Sequence, residues 1–470
     1  MTGVRLRPRP ATLYAAAVAG VYLLVVAGAT AGVADAARAC QSWPLCTGDL
    51  TTPTMLVAVG HRALAALVGI AVLAAGLTAL RDDSRRVRLA GAAGLVLYPV
   101  QVGIGAWVAV SGGALPLPGL HLLVGVSIFA AFLFALAWRL EAETGGDDDP
   151  VGPASAPSSG LGGAESAPEP DPTQSTTPDL SLSDRLFAYF RLMKPRLMWL
   201  LALVAAAAMV LAADGTGPAL SVRTIVLTLG GGVLAIGASG TFNHVLERDR
   251  DRRMSRTDDR PTVTHAIPVR NALAFGSLLV ALSLALFLQV NLLATLLGLT
   301  AIVFYSVVYT LVLKPNTVQN TVIGGAAGAL PALIGWAAVT GEVGLPGLLL
   351  AGLIFVWTPA HFYNLALAYK DDYARGGFPM MPVVRGETAT RKHILLWAGL
   401  TLVAAAALIW LTPLGWPSAV ASTAVGGVFV WAVVRLHREQ TERAAFRAFH
   451  ASNAYLGTVL LAIVVDGLVL

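Results

Sequence analysis

The densest polar run in an otherwise apolar chain is Thr241-Phe-Asn-His-Val-Leu-Glu-Arg-Asp-Arg-Asp-Arg-Arg-Met254, closing with Arg256-Thr-Asp-Asp-Arg-Pro261. In an α-helix, residues four apart advance only about 40° around the axis, so Asn243, Glu247 and Asp251 are expected on one face. Oxygens so placed suit magnesium, which takes a few carboxylate or carbonyl ligands and keeps positions for water and substrate phosphate. Arg248, Arg252, Arg253 and Arg256 lie beside them as partners for phosphate oxygens, or as ordinary charges of a membrane-edge loop. Asp249 falls off this face and reads as a solvated charge.

A second cluster follows in Trp357-Thr-Pro-Ala-His-Phe-Tyr-Asn-Leu-Ala-Leu-Ala-Tyr-Lys-Asp-Asp-Tyr373, then Gly376-Gly-Phe-Pro-Met-Met-Pro382. His361, Asn364 and Asp371 or Asp372 recur at helical spacings. Two magnesium stations facing an apolar pocket are what ionising an allylic diphosphate requires, because the metals take up charge on the leaving group. Ionisable residues at membrane depth are functional candidates by default.

The elements that must position these residues are membrane helices. Of 470 residues, 56% are hydrophobic and 13% charged, against roughly 25% charged in soluble domains. A bilayer core needs about 20 apolar residues per helix, and lipid satisfies no exposed backbone polar group, so the fold class is all-α. Four helices are expected near 11 to 33, 54 to 79, 88 to 110 and 118 to 140. Nine more fall near 196 to 213, 223 to 243, 271 to 289, 291 to 312, 319 to 339, 345 to 369, 393 to 412, 417 to 436 and 449 to 468. Between the two groups, Glu141 to Ser183 holds seven Pro, nine of the 27 acids and no Lys or Arg, the composition of a disordered linker. The expected division is a four-helix module at 1–140, the linker at 141–183 and a second domain at 184–470.

The remaining chain has 32 bases against 18 acids, clustered at Arg5 to Arg9, Arg81 to Arg88, Arg185 to Arg196, Arg248 to Arg270, Lys370 to Lys392 and Arg435 to Arg447. Every second loop is basic, which places the N-terminus in the cytoplasm and the C-terminus outside a cell membrane, and argues against nucleic-acid binding. No cleavable signal peptide is evident.

The runs from Asn243 to Pro261 and from Trp357 to Pro382, with Lys194-Pro-Arg196, Lys314-Pro-Asn to Pro331, and Gly335-Trp336, resemble the UbiA prenyltransferase superfamily in its haem O synthase branch, the protohaem IX farnesyltransferases. The resemblance covers about residues 184 to 470. It implies a nine-helix prenyltransferase bundle that joins a farnesyl group to a vinyl group of haem B with addition of water. It also implies a magnesium cofactor at Asn243, Glu247, Asp251 and Asp372, with Asp371 beside them. Lys194, Arg196, Arg248, Arg252, Arg260, Lys314, His361 and Asn364 would contact diphosphate or haem. The chain departs from the family pattern in two motifs: Glu247 stands for the commoner Asp, and Asn364, Ala368 and Asp372 occupy the second motif's spacing, so its Asp-x-x-x-Asp pair is not intact. A quinone- or lipid-directed prenyltransferase is the alternative enzyme, and a haem transporter or b-type cytochrome the alternative from another class.

In the N-terminal module, Cys40 and Cys46 share an external loop, where a disulfide is favoured. His61 and His121, on the second and fourth helices at similar depth, are candidates to ligate haem iron. The cysteine loop, Gly60-His-Arg62 and Leu120-His-Leu122 resemble one half of haem A synthase. That resemblance implies a haem-holding module, with haem B in it and haem A synthase or oxidase-assembly partners.

Overall fold

The computed structural model describes residues 9–33, 36–40, 42–46, 51–111, 116–146, 181–213 and 219–469. Among them there is no strand, and thirteen helices are long and apolar enough to cross a membrane. They are α1 (Pro10–Val33), α2 (Pro53–Ala79), α3 (Arg85–Val110), α4 (Leu117–Thr144), α5 (Pro195–Ala212), α6 (Val222–Leu246) and α7 (Val269–Leu288). Next come α8, formed by Leu292–Val303 and a π-helical stretch Phe304–Leu313, then α9 (Asn320–Thr340) and α10 (Leu345–Ala368). The last three are α11 (Glu387–Leu411), α12 (Trp416–Glu439) and α13 (Glu442–Val469). The chain is a multi-pass membrane protein.

Most of the expected disordered linker, 147–180, lies outside the described residues, as do Arg5 and Arg7. Its ends are ordered, however: Glu141 to Thr144 complete α4, and a short helix, Leu182–Leu192, begins before the expected boundary at 184.

The described chain forms two compact units, and packing does not follow the linker. One unit holds 1–148, 352–368 and 388–470; the other holds 149–351 and 369–387. Within the first unit, α1 packs on α2, α4 and α12, and α12 packs on α13. Polar links join the N-terminal helices to the last spans. Tyr22 and Ser422 share a buried hydrogen bond of 2.7 Å, Arg438 donates to Thr12 Oγ1 at 3.0 Å, and Lys392 pairs with Glu141.

In the second unit small residues let helices approach, as expected where lipid offers no hydrophobic drive and packing must hold helices together. A Cβ at Gly335 in α9 would strike the Ala205 carbonyl of α5. Phe287 of α7 is fully buried among Ala235, Ala294, Ile302 and Ile334, in a space left by Gly231 of α6 and Gly298 of α8, whose added Cβ atoms would sit 3.0 and 2.6 Å from its ring. Phe287→Ala is expected to cost about 3–5 kcal/mol through the cavity it opens. Thermal melting of the purified protein checks this; an unchanged midpoint would show that α6, α7 and α8 close the gap.

Candidate active site

The second unit gathers most of the polar residues singled out from the sequence. At the head of α5, Lys194 takes a left-handed conformation, φ 56° and ψ 57°, which a non-glycine residue adopts only when its surroundings demand it. Pro195 contributes, since the residue before proline is kept out of the right-handed helical region. The turn lies directly against α6 at Gly240, where an added Cβ would come within 3.0 Å of the Leu192 carbonyl and 3.2 Å of Lys194 Cγ. Lys194 Nζ then donates to Asn243 Oδ1 and lies 3.4 Å from the Tyr305 hydroxyl. Gly240→Ala is expected to shift this turn by a few tenths of an ångström from α6 and lower turnover about tenfold, since catalysis depends on the placement of the catalytic groups. A Gly240→Ala enzyme with wild-type rates would show the turn to be free to move.

Asn243 is buried at the end of α6, and its Nδ2 donates to Thr310 Oγ1 at 3.1 Å. Thr310 in turn donates to the Tyr305 carbonyl at 2.9 Å, five residues back, within the π-helical stretch. Such stretches concentrate at functional sites because the wider turn re-aims side chains. Here the stretch presents Tyr305, Thr310 and, at its end, Lys314 to α6.

The helix expected to carry Asn243, Glu247 and Asp251 on one face is interrupted. α6 ends at Leu246, Glu247 has φ −97° and ψ 0°, and Arg248–Asp251 is a separate turn. Glu247 and Asp251 nevertheless belong to one ion-paired cluster, and Asn243 joins it through the hydrogen bond from Lys194. Lys314 Nζ meets Glu247 Oε1 at 2.6 Å, while Arg260 meets Asp251 Oδ2 at 2.5 Å and Glu247 Oε2 at 3.9 Å. Three cations, Lys194, Arg260 and Lys314, thus face two carboxylates, leaving net positive charge for an anion.

Burial and these neighbours set the protonation equilibria. Burial, helped by repulsion from Arg260, pulls Lys194 down to about 7. For Glu247 burial acts upward, but Lys314, Lys194 and Arg260 together outweigh it and hold the carboxyl low. Asp251 moves the other way: burial and the nearby Glu247 charge raise it despite Arg260.

Asp372 also lies in this unit. The seven-residue spacing with His361 is not realised on one helix, because α10 stops at Ala368, Tyr369 turns the chain, and Lys370–Arg375 forms a new short helix. Asp372 accepts from Ser255 Oγ at 2.8 Å and from the Ser255 and Arg256 amides at 3.3 and 3.2 Å, and it pairs with Arg375. Burial would raise its carboxyl, but these hydrogen bonds hold it low. Asp372 therefore anchors the loop that follows Asp251, whereas Asp371 is exposed. Phe378 sits between two cations, 4.4 Å from Lys314 Nζ and 4.9 Å from the Arg250 guanidinium. Arg196 and Arg252 are exposed, and Arg248 pairs with Asp249 at 3.3 Å, so these three stay out of the cluster. Sequence reasoning missed Tyr305, Thr310, Ser255 and Phe378; only Ser255, inside the Asn243 to Pro261 run, and Phe378, inside the Gly376 to Pro382 run, lay where a signal was there to find.

Among the described residues no three His, Cys, Asp or Glu side chains converge as a ready-made metal site. The fit to a hard cation rests instead on a few oxygens completed by substrate phosphate. Asp251 Oδ1 supports it, being buried and without a hydrogen-bond partner.

The first unit holds His61, His121 and His361. His361 lies between Trp357 and Phe449, ring centroids 4.3 and 4.4 Å away. Its Nδ1 is 2.7 Å from Ser452 Oγ, which donates to the Phe449 carbonyl at 2.7 Å. Ser452 therefore accepts from His361 Nδ1–H, which leaves Nε2 with the lone pair. Asn364 Oδ1 is buried without a partner. In the N-terminal helices, His61 and His121 have ring centroids 6.4 Å apart, and the Nδ1 atom of each is buried without a partner. Glycines flank both rings: added Cβ atoms at Gly28 and Gly105 would lie 3.3 and 2.9 Å from the His61 and His121 Cε1 atoms. Cys40 and Cys46 are joined in a disulfide. Arg62 holds that loop by donating to the Cys40, Ser42 and Pro44 carbonyls at 3.0, 2.8 and 3.2 Å.

A helical membrane bundle whose buried carboxylates and surplus cations are arranged for an anionic leaving group defines the class of intramembrane prenyltransferases. The chain belongs to the UbiA prenyltransferase family, whose model matches residues 200–455. It is 65% identical over 465 residues to the protohaem IX farnesyltransferase of Haloarcula marismortui, covering 97% of this chain and 98% of that one. With protohaem IX farnesyltransferase 1 of Natronomonas pharaonis it shares 62% over 462 residues, again 97% and 98% of the two chains. Protohaem IX farnesyltransferase 1 of Saccharopolyspora erythraea is 42% identical over 288 residues, 60% of this chain and 91% of that one. The fold is shared with a solved digeranylgeranylglyceryl phosphate synthase at a TM-score of 0.51 and 16% identity, covering 61% of this chain and all of the other.

Proposed function

We propose that this prenyltransferase is a protohaem IX farnesyltransferase, converting haem B, farnesyl diphosphate and water to haem O and diphosphate. The observation that carries the reading is the buried cluster of Glu247 and Asp251 under Lys194, Arg260 and Lys314, in a chain nearly two-thirds identical to relatives of that name. The farnesyl C1–O bond breaks, and its electron pair leaves with diphosphate. The haem vinyl π electrons attack C1, water adds to the cation formed on the vinyl group, and a proton returns to solvent. No protein nucleophile is needed.

Asn243, Glu247, Asp251 and Asp372 would hold magnesium, which when bound supplies Lewis-acid uptake of charge on the leaving diphosphate. Lys194, Arg260 and Lys314 bind the same phosphate oxygens as charge-assisted donors. Phe378 screens Lys314 from water, which strengthens that attraction. His361 and Asn364 are the proposed haem contacts. The prenyltransferase domain is 184–470, a length close to the stretch matched in the S. erythraea relative.

The partnerless Nδ1 atoms of His61 and His121 favour a second role, in which the module at 1–140 holds haem B between them. Haem A synthase or oxidase-assembly proteins would be its partners. The N-terminus lies in the cytoplasm, the C-terminus outside, and the membrane is the cell membrane. The test is to supply membranes containing the chain with haem B, magnesium and farnesyl diphosphate, and to analyse extracted haems by mass spectrometry. Haem O is the expected product; prenylated quinone or lipid with unchanged haem would reject the reading.

A further inference from the structure

The short helix Leu182–Leu192 precedes Lys194, and one exposed sector of it is largely apolar. Leu182, Leu186, Phe187 and Phe190 are 74%, 62%, 61% and 50% exposed. At 100° per residue they span one sector of about 140°, in which Ser183 is the one polar residue. The opposite side is already occupied. Ala188 and Leu192 are buried against Ile267 and Ala272, and at the sector's border beside Leu182, Tyr189 stacks edge-on with Phe275 at 4.9 Å. Between these two sectors Arg191 pairs with Asp259 at 2.6 Å.

The apolar sector is thus not a core face left open by chance, since the helix has its core contacts elsewhere. A soluble surface of this composition would be an association site, so its occupant must be decided. The chain just before it, 147–180, is rich in Pro, Gly and acids and has no apolar run to cover it. Only Met193 and Lys194 separate the helix from α5, whose eighteen residues cross the membrane. A helix so tethered is confined to the bilayer surface.

We infer that Leu182–Leu192 is an interfacial anchor, lying in the headgroup plane with Leu182, Leu186, Phe187 and Phe190 in the acyl boundary. This is the arrangement of amphipathic helices that lie in a membrane rather than across it. Because its last turn runs into the left-handed residue Lys194, the anchor ties the height of that cation to the bilayer surface. The inference concerns lipid contact and stands apart from the identity of the prenyl acceptor.

The test uses the full chain in phosphatidylcholine and phosphatidylglycerol vesicles. The single substitutions Leu186→Cys, Phe187→Cys and Asp184→Cys carry an environment-sensitive fluorophore, the native cysteines being joined to each other. Labels at 186 and 187 are expected to lose most of their emission to lipids spin-labelled near the headgroup, less to lipids labelled deep in the chain, and little to aqueous iodide. The label at 184 is expected to be quenched by iodide. Equal iodide quenching at all three positions would overturn the inference. So would shielding of 186 and 187 from both quenchers, because a protein surface, from the linker or a second copy, would then cover the face.

Discussion

Asp251→Asn is expected to reduce haem O formation by about 10²- to 10³-fold or more, the range for removing one preorganised charge-stabilising group. The substitution keeps the shape of the side chain and removes its charge. Asp251 is fully buried, one oxygen is taken by Arg260, and the other has no partner. That second oxygen is the free valence a cation would use. Stability should suffer less than turnover, because Arg260 keeps Glu247 within 3.9 Å. Single-turnover assays on extracted haem, with melting of the same preparation, separate the two effects. Wild-type turnover in a folded Asp251→Asn enzyme would remove Asp251 from the metal site.

Arg260→Met should act chiefly on the folded state. Arg260 serves two buried carboxylates, and breaking a buried pair by removing one partner costs about 3–5 kcal/mol, since the other charge stays behind. Lys314 still holds Glu247 at 2.6 Å, so the orphan is Asp251. A cation bound by the native state alone stabilises it by mass action, and Asp251 in the variant has lost its competing guanidinium. Magnesium is therefore expected to raise the melting temperature of Arg260→Met more than that of the wild type. Equal magnesium responses would mean that the cation does not bind at Asp251. An undiminished melting temperature without magnesium would mean that the pair adds nothing to stability.

The cluster was legible in the sequence only as a list of members. Four-residue spacing brought Asn243, Glu247 and Asp251 together on the assumption of an unbroken helix, yet the chain breaks at Glu247; Arg260 gathers the two carboxylates instead, and Lys194 holds Asn243. The same assumption failed at Tyr369, which parts Asp372 from His361 and Asn364. Helical periodicity is a local rule, and it stops applying at membrane edges, where polar backbone can again find partners outside the helix. Tyr305 and Thr310 gave no signal, because a π-helical stretch has the same apolar composition as the α-helix around it.

Composition by itself determined the thirteen helices, the membrane setting and the polar runs that carry the chemistry. Lipid forces each apolar stretch of sufficient length to satisfy its own backbone, and that decision is made within one segment. Only the tertiary structure decided which cation meets which acceptor: Lys194 the Asn243 amide oxygen, Lys314 the Glu247 carboxylate, Arg260 the Asp251 carboxylate. It also grouped the last three spans with the N-terminal helices across the linker that divides the composition. These outcomes depend on distances between segments far apart in the chain, set by small residues such as Gly240 and Gly335 that let helices approach, and no spacing along the chain encodes them.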